Sequence, residues 1–141
     1  MHSLVYRSVA NDSFSMPEIY GMLSKAKEYN AEHKISGCLL YHNNQFLQLL
    51  EGEENEVLNL FQKISMDERH QDIVLIESSH AEDRLFYKWN MAFYDYGQNG
   101  LSAYLKLGQI DAFLNQSRAL STNNRSVLKF FSSVKDVLFS N

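Results

Sequence analysis

The sequence predicts an α+β fold in which a mixed β-sheet is combined with helices. Short stretches of alternating or densely apolar residues predict strands, and longer stretches with apolar residues every three or four positions predict helices. These stretches follow one another in the order strand, helix, strand, strand, helix, strand. The 141 residues, 45% of them hydrophobic, suffice for one domain with one sizeable core.

The N-terminal part of the chain predicts a strand followed by a helix. Alternation over residues 4–8 predicts a strand with Tyr6 on one of its faces. Ser15 and Glu18 have the spacing of a capping box, with a proline between them in the first turn of the helix. Asn30 falls on the apolar stripe of this helix, so we expect it to face the sheet; the stripe consists of Ile19, Met22, Leu23 and Ala26.

The next segment predicts a hairpin and a second helix. Two apolar runs, residues 38–41 and 46–50, flank Asn43 and Asn44, a pair that tolerates the left-handed backbone of a tight turn. Apolar residues at helical spacing then predict a helix over residues 53–65. The hairpin is the clearest one in the chain.

The remaining strands complete the predicted sheet. Residues 73–76 form a short β-branched run typical of a strand buried on both faces, and residues 89–94 predict one more strand. This order predicts a ferredoxin-like, five-stranded mixed sheet with strand one beside strand three and two helices on one face. We expect C-terminal helices to pack on the other face, the last of them spanning residues 126–139 with an apolar side formed by Val127, Phe130, Phe131, Val134 and Leu138.

Composition excludes several classes of function. Thirteen Lys and Arg against seventeen Asp and Glu give a net charge of −4, which disfavours nucleic acid as a partner. No apolar run is long enough to span a bilayer, and no His, Cys or acidic spacing predicts a metal site. Cys38 is the only cysteine, so nothing indicates an oxidising compartment, and we expect a cytoplasmic protein that does not interact with membranes.

Three polar side chains occupy positions that the periodicity assigns to the core. These are Tyr6 on the first strand, Asn30 on the first helix and Gln48 on the third strand. A buried amide without a partner costs about 1–3 kcal/mol, so each must bond another protein group, water or a ligand. Each alone is compatible with an ordinary paired core residue. Because the predicted topology brings all three together, we expect a cofactor pocket.

Several segments together resemble the BLUF family of flavin photoreceptors over about the first ninety-five residues. The resemblance depends on their order and spacing rather than on any one of them. The segments are Leu4-Val5-Tyr6-Arg7-Ser8, Asn30, Ile35-Ser36-Gly37, Phe46-Leu47-Gln48-Leu49-Leu50-Glu51-Gly52, Asp67-Glu68-Arg69-His70 and Trp89-Asn90-Met91.

The resemblance implies a noncovalently bound flavin, usually FAD, with FMN or riboflavin as alternatives. By position, it implies that Tyr6 donates an electron and a proton in light and that Gln48 connects Tyr6 to the flavin. It also implies that Asn30 binds the pyrimidine edge of the ring and that the remaining positions contact the flavin (Ser8, Arg69 and His70) or transmit the signal (Trp89 and Met91, with Ser8 on the same side).

The resemblance further implies a division of the chain and a mode of action. Residues 1–96 would form the photosensory domain. Residues 97–141 lie beyond the resemblance, and from their apolar pattern we expect a helical extension for output or oligomerisation. We expect a light sensor that is not itself an enzyme, that acts through a downstream signalling protein, and that forms homo-oligomers, with the apolar C-terminal face as one candidate surface. Two alternatives are a flavin-free interaction module of the same fold and an acylphosphatase-like hydrolase, although the anion-binding arginine loop of the latter is missing.

Overall fold

The computed structural model describes residues 1–84, 86, 92–95 and 125–139. The elements, in chain order, are β1 (His2–Ala10), α1 (Met16–Glu32), β2 (Ser36–His42), β3 (Gln45–Gly52), α2 (Glu54–Ser65), β4 (His70–His80), β5 (Ala92–Asp95) and α3 (Arg125–Phe139). The predicted α+β class is confirmed. Among these described helices, none combines the length and the apolar character needed to cross a membrane.

The sheet has the strand order β4-β1-β3-β2-β5. The first four strands pair antiparallel with their neighbours, whereas β5 pairs parallel with β2. As predicted, β1 lies beside β3, and it lies between β3 and β4. In this register Tyr6 is directly opposite Gln48, so two of the three expected core polar residues are cross-strand neighbours.

Local sequence signals for the hairpin and for the start of α1 are confirmed. Asn43 and Asn44 have φ angles of 51° and 62°, which is the left-handed backbone that a two-residue hairpin turn requires. Ser15 caps α1 by accepting from the backbone N–H of Glu18, whose carboxylate accepts from the backbone of Ser15 in return. Both features depend only on residues close together in the chain.

The sheet separates two apolar cores. One lies between the sheet and helices α1 and α2, and it includes Leu4, Tyr6, Ile19, Leu50 and Val57. The other lies under α3, and it includes Val5, Leu47, Leu49, Val127, Phe130, Val134 and Val137. Val137, which the helical pattern did not single out, is 1% exposed. The side chains of Phe131 and Leu138 lie outside the described residues.

The prediction that the third apolar run is a strand buried on both faces is wrong. β4 is an edge strand that pairs only with β1 within the described sheet. Val74 and Leu75 are 46% and 48% exposed. A β-branched run indicates that a segment prefers the extended backbone, but strand order decides how much of it is covered.

Candidate functional site

The centre of the site is a hydrogen bond between two strands. The hydroxyl of Tyr6 donates to Oε1 of Gln48. Tyr6 is 4% exposed and Gln48 is 7% exposed, so the bond is shielded from water. Both side chains point to the α1 and α2 side of the sheet because Tyr6 and Gln48 are paired across β1 and β3. The third strand therefore presents an amide, rather than an apolar group, to the tyrosine.

The environment of Tyr6 keeps its phenol protonated. Burial raises the pKa of the Tyr6 hydroxyl well above its ordinary value, and the negative charge of Asp67 raises this pKa further. In the ground state the proton therefore remains on the Tyr6 oxygen, and the hydroxyl donates it in a hydrogen bond to Gln48. Proton loss becomes favourable only if the ring first loses an electron, because oxidation makes a phenol strongly acidic.

Asn30 is the third polar residue of the site. It lies near the C-terminal end of α1 and is 2% exposed. Its Oδ1 atom is buried and has no hydrogen-bond partner among the described residues. An unpaired buried carbonyl oxygen costs about 1–3 kcal/mol, so this atom is suited to accept from an N–H group of a ligand.

Tyr6, Gln48 and Asn30 all line one cavity of about 340 Å³ between α1, α2 and the sheet. Its size falls within the range of roughly 300–1,000 Å³ that is usual for small-molecule sites. The wall combines these polar groups with apolar side chains and charged residues, namely Phe14, Met22, Leu23, Ala26, Leu39, Phe46, Leu60, Ile64, Lys25, Tyr29, Lys63, Asp67, Arg69 and His70. A flat, mostly apolar ring with a polar edge fits such a wall.

Arg69 lies at the wall of the cavity, in an ion pair with Asp67. Its Nε and Nη2 atoms donate to the Asp67 carboxylate over distances of 2.5–3.1 Å. Hydrogen bonds from Arg69 lower the pKa of the Asp67 carboxyl, and the same bonds raise the pKa of the guanidinium. The guanidinium also lies 5.3 Å from the ring centre of Phe14. The loop after α2 thus holds one positive and one negative charge beside the polar groups.

His70 is hydrogen-bonded to Ser8 on β1 and to Ile64 on α2. Nε2 of His70 lies 2.6 Å from the carbonyl oxygen of Ile64, and Nδ1 lies 2.7 Å from the Ser8 hydroxyl. A carbonyl can only accept, so Nε2 carries a proton, and neutral imidazole then accepts from Ser8 at Nδ1. His70 lines the cavity, whereas Ser8 does not. The Ser8 hydroxyl instead orients the imidazole ring through its hydrogen bond to Nδ1.

Sequence reasoning did not select Tyr29, Lys25, Lys63 or Asp67 as site residues, although all four line the cavity. Asp67 belongs to the Asp-x-Arg-His segment, and its position two residues before Arg69 was the available signal. The two lysines carried no signal, because exposed lysines are common on any helix. The expected signalling residues Trp89 and Met91 lie outside the described residues.

A family model described as "BLUF: Sensors of blue-light using FAD" matches residues 1–92. The chain belongs to the BLUF family. Members of this family are blue-light sensors that use a flavin and signal to effector proteins. Within the described residues, no cluster of His, Cys, Asp and Glu side chains could hold a metal ion.

A curated relative and a solved structure are similar to this chain. The chain is 36% identical to the blue light- and temperature-regulated antirepressor BluF of Escherichia coli (strain K12), over 66% of this chain and 23% of that protein. The solved structure of the BlsA photo-activated state covers 99% of this chain and is itself covered to 96%, with a TM-score of 0.68 and 28% identity.

A second similar structure is Klebsiella pneumoniae BlrP1 with FMN and cyclic diGMP. It is 26% identical with a TM-score of 0.72, and the match covers 95% of this chain and 34% of that one. The chain spans about a tenth to a quarter of the length of the first curated relatives that it matches.

Proposed function

We propose that the cavity between α1, α2 and the sheet binds a flavin noncovalently and that light acts on the Tyr6–Gln48 hydrogen bond. The observation that carries this proposal is the arrangement of Tyr6, Gln48 and Asn30 on one cavity wall, with the Tyr6 hydroxyl already bonded to Gln48. A flavin ring edge offers both N–H donors and carbonyl acceptors. The unpaired Oδ1 of Asn30 needs such a donor, and the amide of Gln48 can bond the same edge.

Charged residues of the wall favour a flavin that carries phosphate. Lys25, Lys63 and Arg69 line the cavity, and Asp67 is the single acidic residue among its described lining residues. Because Arg69 is already paired with Asp67 and Lys63 donates to the Tyr29 hydroxyl, Lys25 is the lining cation placed to bind a phosphate. This favours FAD or FMN over riboflavin, and the FMN bound in the Klebsiella structure supports the same class.

The bound flavin would supply a ring that absorbs blue light and accepts an electron when excited. Tyr6 would give up the electron, and its proton would follow along the existing hydrogen bond toward Gln48. When the electron and proton return, Gln48 would be left with a different orientation or tautomer. The amide then presents a donor where it previously presented an acceptor, which changes the hydrogen bonding around the cavity without any covalent product.

The altered amide would bias the packing of the sheet and of α3. Gln48 on β3 is adjacent to Leu47 and Leu49, which pack in the core beneath α3. We infer that the five-stranded sheet, with α1 and α2 on one face and α3 on the other, is the frame that transmits the change. Trp89 and Met91 remain the proposed signalling contacts. A few kcal/mol of altered hydrogen bonding is enough to shift a two-state equilibrium.

The chain itself would be a sensor rather than an enzyme, and a downstream protein would produce the response. The antirepressor and cyclase relatives illustrate two kinds of response. We propose a cytoplasmic homo-oligomer. Its contact surface would differ from the apolar side of α3, because Val127 and Phe130 are each 1% exposed beneath that helix.

The test is the visible absorption spectrum of the purified protein before and after blue light, with Gln48→Leu measured in parallel. We expect a flavin spectrum that shifts to the red in light and relaxes in darkness, and we expect the shift to be lost in the variant. Gln62→Leu is the matched control, because it makes the same change on the exposed surface of α2 and should keep the shift. A protein that binds no added flavin would refute the proposal and favour a flavin-free interaction module.

A further inference from the structure

Two tyrosines line the cavity, and each could in principle lose an electron to an excited flavin. Tyr6 lies on β1, and Tyr29 lies on α1, one residue before Asn30. A light sensor that uses only one of them needs a physical difference between the two. The structure shows that difference in the hydrogen-bond partner of each hydroxyl.

Tyr29 is held against a positive charge. Nζ of Lys63 donates to the Tyr29 hydroxyl oxygen at 3.2 Å and lies 4.7 Å from the centre of the ring. The same ring stacks with the imidazole of His33 at 4.0 Å between centroids, and His33 is in turn bonded to the Glu56 carboxylate at 2.7 Å. Removing an electron from Tyr29 would create positive charge next to an ammonium group, which is unfavourable.

Tyr6 has a different environment. Its hydroxyl donates to Gln48, so the proton has an acceptor as soon as the ring is oxidised. The nearby Asp67 carboxylate is paired with the Arg69 guanidinium, so no unpaired cation among the described residues faces this hydroxyl as Lys63 faces that of Tyr29. Lys63 therefore makes Tyr29 harder to oxidise, whereas Gln48 provides the Tyr6 proton with an acceptor.

We propose that Lys63 prevents Tyr29 from acting as a competing electron donor and so confines light-driven oxidation to Tyr6. This inference rests on the proposed function, because the oxidant is a photoexcited flavin. In the side reaction that Lys63 suppresses, Tyr29 would lose one electron to the flavin and its phenol proton to water. The electron would later return from the flavin and the proton from water. The absorbed photon would then produce no rearrangement of Gln48.

The experiment compares Lys63→Met with wild type at saturating flavin. In a Tyr6→Phe background, where Tyr6 cannot donate, we expect Lys63→Met to shorten the fluorescence lifetime of the bound flavin by about two- to fivefold, the factor that an exposed cation–π contact supplies. With Tyr6 present, we expect the same substitution to lower the quantum yield of the red shift. Adding Tyr29→Phe should restore both values, and Lys63→Arg should leave both near those of the parent protein.

Two controls separate this effect from a loss of structure. Lys27→Met removes an exposed lysine of α1 that is absent from the cavity wall, and it should change neither value. In the flavin-free protein, the Lys63 side-chain protons should show an upfield NMR shift from the Tyr29 ring, and Tyr29→Leu should abolish this shift. Absence of the shift in wild type would overturn the geometry on which the inference depends.

The outcomes distinguish this inference from the proposed function. If wild type shows a reversible red shift but Lys63→Met leaves the lifetime unchanged, the role of Lys63 is refuted and the photoreceptor remains. The inference is also refuted if Tyr29→Phe fails to restore the lifetime, because Lys63 would then act through another group. If wild type binds no flavin, the proposed function fails and this inference fails with it.

Discussion

The Tyr6–Gln48 hydrogen bond should be measurable as a coupling free energy in the flavin-free protein. Tyr6→Phe removes the hydroxyl and leaves Oε1 of Gln48 without this donor in a site where both residues are less than 10% exposed. Gln48→Leu leaves the Tyr6 hydroxyl without its acceptor and also removes the other contacts of Gln48. Each single change leaves a buried polar group unsatisfied, so we expect each to lower the free energy of unfolding by about 1–3 kcal/mol.

The double variant provides the decisive comparison. With both partners apolar, no group of the pair is left unsatisfied, so its cost should be smaller than the sum of the single costs by about 1–3 kcal/mol. Urea unfolding followed by circular dichroism measures all four proteins, with unchanged urea dependence as the check that the unfolded states are comparable.

A distant pair serves as the control for this cycle. Tyr6→Phe combined with Gln62→Leu on the surface of α2 should be additive, because the two residues share no contact. If the costs of Tyr6→Phe and Gln48→Leu also add to within about 0.5 kcal/mol, the hydrogen bond does not connect the two residues in solution, and the light mechanism loses its starting geometry.

Two further predictions concern stability. Asp67 has a lowered pKa in the folded protein because of Arg69, so the ion pair stabilises the fold above the ordinary carboxyl range near pH 4, and this contribution is lost as the pH falls through the lowered pKa. We expect at most about 1 kcal/mol from this half-exposed pair, and Asp67→Asn should remove that part of the acid dependence of urea unfolding; an identical acid profile would contradict the assignment. Phe130→Ala should lower the free energy of unfolding by about 3–5 kcal/mol because its side chain is buried between α3 and the sheet, whereas Leu128→Ala, on the exposed side of the same helix, should change it by about 0.5 kcal/mol or less. Equal effects of the two substitutions on urea unfolding would show that α3 does not pack as described.

The sequence alone determined the features that depend on neighbouring residues. The capping box at Ser15 and the left-handed turn at Asn43 and Asn44 are local, because the required contacts span only a few residues. Strand and helix periodicity also placed Tyr6, Gln48 and Asn30 in the core, and all three are buried. Periodicity can predict burial because regularly repeated apolar positions indicate which side of a helix or strand faces the core.

Tertiary packing sets which elements cover one another and which side chains meet across them. Strand order placed β4 at the edge of the described sheet and exposed Val74 and Leu75, which the local pattern assigned to a buried strand. The pairing of Lys63 with Tyr29 joins residues 34 positions apart on two helices. Such contacts depend on how α1 and α2 are placed on either side of the cavity. The residue spacing within one helix gives no information on the distance between two helices, so local periodicity could not reveal these contacts.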